Sequence, residues 1–158
     1  MEKTIVNQDL GKGFAYLEES EVGQLTHSAG VIIDSGDLRF VYCAGKTATN
    51  DQSDDPADWD TIVGEGDIKE QTRQVCRNLQ GTLAAAGATL DDVVRVRVFV
   101  APPFTKSEFS KVHDARAEFF SADHYPASTL VIVHALAREG ALIEIDADAV
   151  IPRDRANG

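Results

Sequence analysis

Basic side chains are scarce in this chain: 15 Lys and Arg stand against 26 Asp and Glu, a formal net charge of −11. A surface of that sign repels polyphosphate and anionic lipid, which argues against nucleic acid and membranes as partners. Long apolar runs are missing, and none approaches the roughly 20 residues that a membrane helix needs. Met1 to Leu10 is polar and mixed in charge, the wrong pattern for a secretory signal. Cysteine is limited to Cys43 and Cys76, with no metal-ligand spacing. The plain expectation is two reduced thiols in a cytoplasmic protein, one on a strand and one on a helix, each a small hydrophobe. Internal repeats and low-complexity linkers are absent too.

What remains is an ordinary globular composition, 43% hydrophobic and 26% charged, in 158 residues. That length suits a single domain with a real core. The first 25 or so residues carry little pattern beyond a possible short strand at Thr4 to Val6. From residue 28 the pattern sharpens. Val31, Ile32 and Ile33 form a β-branched run, Ser35-Gly36-Asp37 supplies turn chemistry, and LRFVYCA at 38–44 follows, which together predict a hairpin. Residues 47–66 read as a surface loop, rich in Asn, Asp, Ser and Pro, with Trp59 to pin it down.

At Asp67 the period turns helical. Ile68, Thr72, Val75, Cys76, Leu79, Leu83 and Ala86 recur at three- and four-residue steps, with Asp67 as N-cap and Gly87 just past the end. VVRVRVFV at 93–100 reads as a strand, with Val94, Val96, Val98 and Val100 on one face and Arg95, Arg97 and Phe99 on the other. Pro102-Pro103 ends it. Residues 106–121 read as a second helix with Phe109, Val112, Ala115 and Phe119 on its buried stripe. Strands at 128–134 and 141–151 complete the order β-β-α-β-α-β-β. That order suggests an α+β sheet with both helices on one face. Its other face then needs cover, which self-association supplies.

Several stretches resemble a known family. They are Gly66-Asp67-Ile68, Gln71-Thr72-Arg73, Asn78-Leu79, and the run Ala86-Gly87-Ala88-Thr89-Leu90-Asp91-Asp92-Val93-Val94. Val98-Phe99-Val100, Phe109, Val112, Phe119-Phe120, Tyr125-Pro126-Ala127 and Ile143-Glu144-Ile145 continue the series in consistent order. Over residues 28–151 the chain is similar to the RidA/YjgF reactive-intermediate deaminases, which leaves 1–26 as an N-terminal extension of one domain. The resemblance implies a chorismate-mutase-like fold whose sheets close into a barrel in a homotrimer. It also implies three small-molecule clefts, one at each subunit interface. The activity implied is hydrolysis of imines and enamines, such as 2-aminoacrylate, to the keto acid and ammonia, with no metal or cofactor.

Such a reaction requires a positioned water, a group to move its proton, and a cation for the substrate carboxylate. The family holds that carboxylate with the arginine of a Pro-Ala-Arg-Ser motif. This chain has Pro126-Ala127-Ser128-Thr129, so Ser128 stands where the resemblance expects arginine. A hydroxyl lacks the charge and the two-pronged geometry of a guanidinium. The resemblance therefore points away from a short 2-imino acid and toward a substrate that is larger, less acidic, or held by Lys46, His27 or Arg116.

Other family positions differ as well. A Ser-Gly-Gln turn becomes Ala44-Gly45-Lys46, and a tyrosine position falls on His27, with Tyr16 as a rival. A cysteine becomes Leu130, while an asparagine and a tyrosine on the second helix become His113 and Arg116. Glu144 is retained. Duller readings stand beside each of these: a solvated strand carboxylate for Glu144, a surface lysine for Lys46, structural or exposed imidazoles for His27 and His113. A trimeric ligand-binding or regulatory protein without deaminase activity is the main alternative. An endoribonuclease fits an acidic chain least well.

Overall fold

A computed structural model describes residues 1–6 and 26–155. Six strands and two helices form a two-layer α+β domain: β1 (Glu2–Val6), β2 (Gly30–Ser35), β3 (Leu38–Lys46), α1 (Ile68–Ala85), β4 (Val93–Val100), α2 (Lys106–Ala117), β5 (Ala127–Ile132) and β6 (Ile143–Pro152). The sheet order is β1-β2-β3-β6-β4-β5, antiparallel except for the parallel β4–β5 pair at one edge. Both helices pack on one face of this mixed sheet, the arrangement of the chorismate-mutase-like fold. In the single chain the sheet stays open. Among the described residues, no helix is long and apolar enough to cross a membrane.

Local chemistry explains the elements. β2 and β3 pair through the two-residue turn Gly36-Asp37, with Ser35 opposite Leu38. Asp67 caps α1 by accepting the Lys69 and Glu70 amides. Gly87, at φ 78°, carries the chain away in the left-handed region past the C-terminus of α1. Thr105 and Glu108 form a reciprocal capping box at the start of α2. The tip of the long loop is held by the Trp59 indole, whose Nε1 donates to the Ser53 carbonyl at 2.9 Å.

The core lies between the sheet and the helices. Val75, Cys76, Leu79 and Leu83 of α1 are fully buried against Val41, Val96, Val98, Ile143 and Ile145. On β6 every second residue from Ile143 to Ile151 is buried, so Glu144, Asp146 and Asp148 point to the opposite face. There Arg97 pairs with Asp146 (Nε–Oδ1 2.7 Å) and Asp148 (Nη2–Oδ1 3.0 Å). Burial pushes both thiols up to about 12, so neither supplies a thiolate near neutral pH.

Three expectations need correction. Val94 does not share the buried face of β4: a register shift between Val93 and Arg95 inserts it as an extra residue, so Val93 is buried and Val94 is exposed. The second helix stops at Ala117, not 121, because the chain tightens into a turn through Phe119 and Phe120. Phe109 is exposed and packs on the His113 ring at 4.3 Å instead of joining the buried stripe.

The uncovered side of the molecule is apolar in places. Leu38, Tyr42, Val94, Val131 and Ile132 are all exposed, and β5 is an edge strand with Ile132 59% exposed. A bare edge with apolar side chains is a surface that proteins ordinarily cover.

Candidate functional site

Three amides on α1 position the loops around the first cleft. Gln71 donates to the Gly140 carbonyl at 2.9 Å and accepts from the Leu142 amide at 2.8 Å. Asn78 donates to the carbonyls of Thr47 (3.1 Å) and Thr49 (2.8 Å), and Gln74 donates to Thr49 (3.2 Å). These buried side chains tie the segment after β3 and the segment before β6 to one rigid helix. Satisfied hydrogen bonds offset their burial.

Between those segments opens a cleft of about 310 Å³. Glu144 lies in it with His27, Gly45, Lys46, Asp51 and Arg138. The β3–β6 pairing slips between Cys43 and Lys46, and this irregularity lets the Glu144 side chain fold across the backbone of Gly45. A Cβ at residue 45 would run into the Glu144 carboxylate and stand 2.9 Å from its Cδ. Only glycine therefore leaves the Glu144 carboxylate where it lies; any larger residue must displace it. Gly45→Ala is expected to push the Glu144 carboxylate aside by about 1 Å while leaving the fold intact. A crystal structure of the variant with Glu144 in its original place would refute this.

Partial burial raises the pKa of Glu144 above the ordinary glutamate value, and the negative charge of Asp146 adds to the effect. A carboxyl group shifted this way holds a proton more readily, as a group that exchanges protons with a substrate must. Lys46 shares the cleft, so a cation is available there, but Ser128 does not line it.

The second cleft, of about 450 Å³, lies between α2 and the edge strand β5. His113, Arg116, Phe120, Tyr125, Pro126 and Ser128 line it. Arg116 is only 9% exposed, and its Nη1 donates to Ser128 Oγ at 3.2 Å. The helix thus delivers a guanidinium to residue 128, where the strand carries none. Burial lowers the His113 pKa, helped by the positive Arg116, so its imidazole is neutral near pH 7.

The candidates thus divide into two groups on one chain. His27, Gly45, Lys46 and Glu144 share the first cleft; His113, Arg116 and Ser128 share the second. Leu130 lines neither and packs against the core. Cys43 faces the core and is no part of the cleft edge. Tyr16 lies outside the described residues. The division follows from strand register. Glu144 pairs with Phe99 on the face away from the helices, whereas Ser128 pairs with Val96, which is fully buried on the helix side. Their side chains leave opposite faces of the sheet, two strands apart, with adjacent strands about 5 Å from each other.

Sequence reasoning missed Asp51 and Arg138. Asp51 sits in a loop of many aspartates, and Arg138 in a short segment with no period, so only the tertiary fold brings them to the Glu144 cleft. Arg138 Nη1 lies 3.7 Å from Asp60 Oδ1. Among the described residues no group of three or more His, Cys, Asp or Glu could hold a metal ion.

Comparison with known proteins fits this geometry. The family model described as Endoribonuclease L-PSP matches residues 26–151. The RutC family protein YjgH of Escherichia coli is 36% identical over 126 residues, covering 80% of this chain and 85% of its own. A 2-iminobutanoate/2-iminopropanoate deaminase of Dermatophagoides farinae is 28% identical over 111 residues, 70% of this chain and 77% of its own. The crystal structure of a YjgF/YER057c/UK114 family member from Mycobacterium tuberculosis superposes with a TM-score of 0.65 at 33% identity, covering 95% of this chain and all of that one (100%). With the matched region running from His27 through Ser128 to Glu144, the chain belongs to the RidA/YjgF family, also called YjgF/YER057c/UK114.

Proposed function

We propose that this protein hydrolyses an imine, or its enamine tautomer, to the carbonyl compound and ammonia, R₂C=NH + H₂O → R₂C=O + NH₃. The observation that carries the reading is Glu144, half-buried over Gly45 in a polar cleft with its pKa raised. Water adds to the electrophilic carbon and gives up a proton to Glu144. The same proton then passes to the nitrogen to give the carbinolamine. Glu144 next takes the proton of the new hydroxyl and delivers it to the amine, so that the C–N bond breaks as the C=O forms and ammonia leaves. No electrons are exchanged, so no redox cofactor is called for.

The reaction needs both clefts, and one chain keeps them on opposite sides of its sheet. A homotrimer that covers the bare apolar face would bring the Arg116 cleft of one protomer against the Glu144 cleft of the next. His27 and Lys46 would then orient the substrate from one side, His113 and Ser128 from the other. The relationship to the mite deaminase supports the reaction class. Ser128 in place of a strand arginine supports a substrate other than a short 2-imino acid.

The test is direct. Imines of different chain length are generated in solution with an amino-acid oxidase or a dehydratase, and their decay is followed with and without the protein. Acceleration is expected, larger for long or branched imines than for 2-aminoacrylate. No acceleration on any imine would overturn the reading. A small-molecule-binding trimer without turnover is the second reading, favoured by the loss of arginine at 128; ligand binding without imine decay would establish it. The endoribonuclease activity in the family's name suits a chain of net charge −11 poorly.

A further inference from the structure

Arginine in so acidic a protein has no shortage of partners, and most of this chain's arginines pair with a carboxylate. Arg39 grips Asp34 with two nitrogens, at 2.8 and 2.9 Å. Arg73 holds Glu118 and Glu70, and Arg97 holds Asp146 and Asp148. Arg116, the most buried arginine, is an exception. Among the described residues its only hydrogen-bond partner is the neutral Ser128 hydroxyl, its buried Nε has none, and no carboxylate pairs with it. Its guanidinium carbon lies 5.5 Å from the centroid of the Phe120 ring.

Burying a guanidinium without a counter-charge is costly, since water is lost and nothing replaces it. Phe120 returns part of that cost through its π face. The remainder is unmet in the chain alone. Because a guanidinium stays protonated at any pH a protein survives, deprotonation offers no escape. An anion arriving in the cleft would relieve the cost, and the N–H groups of Nη1 and Nη2 not given to Ser128 can donate to it. Ser128, having accepted from Nη1, still has its own O–H to donate to the same anion.

We propose that Arg116 and Ser128 together bind the carboxylate of a small organic acid, with its apolar body against Phe120, Tyr125 and Pro126. One cation and one hydroxyl match a single negative charge; a phosphate dianion in so acidic a protein would be left uncompensated. The inference deepens the proposed function and rests on it for the identity of the ligand: a carboxylate-bearing imine read from the helix, not from the strand. Moving the guanidinium from strand to helix shifts where the acid group sits.

Benzoate and hexanoate serve as probes, with benzamide, hexanamide and inorganic phosphate as controls, in calorimetric titrations of the full-length protein. Both carboxylates are expected to bind, the amides and phosphate at least tenfold more weakly or not at all. Arg116→Gln is expected to weaken benzoate about tenfold or more, the factor that loss of a charge-assisted hydrogen bond implies. Equal affinity for acid and amide in the unsubstituted protein overturns the proposal, as does failure of both acids to bind or unchanged benzoate affinity in a folded Arg116→Gln. If that variant does not fold, Ser128→Ala decides: a severalfold loss of benzoate supports the site, and no loss overturns it. Benzoate binding that depends on Arg116, in a protein that hydrolyses no imine, keeps the anion site and removes the deaminase. Imine turnover with an unaltered KM in Arg116→Gln does the reverse.

Discussion

Glu144→Gln is expected to slow imine hydrolysis by about 10²- to 10⁴-fold, the usual contribution of a positioned acid–base group. The amide fills the same space over Gly45 and keeps one oxygen toward the cleft, but it cannot take a proton from water. Assembly and circular dichroism should be unchanged, because the side chain faces away from the core. An undiminished rate in the folded variant would remove Glu144 from the chemistry.

The same substitution has a consequence for stability with a definite sign. Burial and Asp146 raise the Glu144 pKa from its ordinary 4.5. The folded state therefore binds the proton more tightly than the unfolded chain does, and Glu144 favours folding fully only below the unfolded value. That contribution is lost as pH rises through the window up to the raised folded value. Above the window the ionised carboxylate is a standing cost, which glutamine does not carry. Glu144→Gln should melt at a higher temperature than the unsubstituted protein at pH 8 and lose that advantage near pH 4. Calorimetry at the two pH values checks it; a variant less stable at pH 8 would mean that the carboxylate has a stabilising partner.

Leu79→Ala is expected to cost about 2–5 kcal/mol, a large part of the roughly 5–15 kcal/mol typical of a domain. Leu79 is fully buried in the middle of α1, in the single layer of core between sheet and helices. No second apolar layer lies behind it to collapse into the void. The damage would also reach the cleft, because Asn78 and Gln74 on the same helix hold the Thr47 and Thr49 carbonyls. Urea unfolding at a fixed protein concentration measures the loss, the concentration being held constant because an oligomer's stability depends on it. A loss below about 1 kcal/mol would show that the site repacks.

The α1 boundaries, the β2–β3 hairpin and the whole extent of β4 were legible because each rests on local chemistry: a cap, a turn, a β-branched run. Glu144 was legible for the same reason, since strict alternation with Ile143 and Ile145 on β6 sets the direction of its side chain. Arg116 was named from a resemblance at one helical position, and its partner Ser128 from another. That the two touch could not be read, because residues 12 apart on a helix and a strand meet only through packing. The bulge at Val94 escaped detection because it belongs to the pairing of β4 with β6, not to either strand alone.

Residue order determined the elements, their sequence along the chain and the acidic character of the surface, all of which depend on neighbours within a few residues. The tertiary structure alone decided which candidates share a cleft. Strand register sends Glu144 and Ser128 to opposite faces of one sheet, and helix packing delivers a buried guanidinium to a strand that lacks one. Contacts between segments far apart in sequence leave no periodic trace in either segment, so their outcome becomes visible only once the chain is folded.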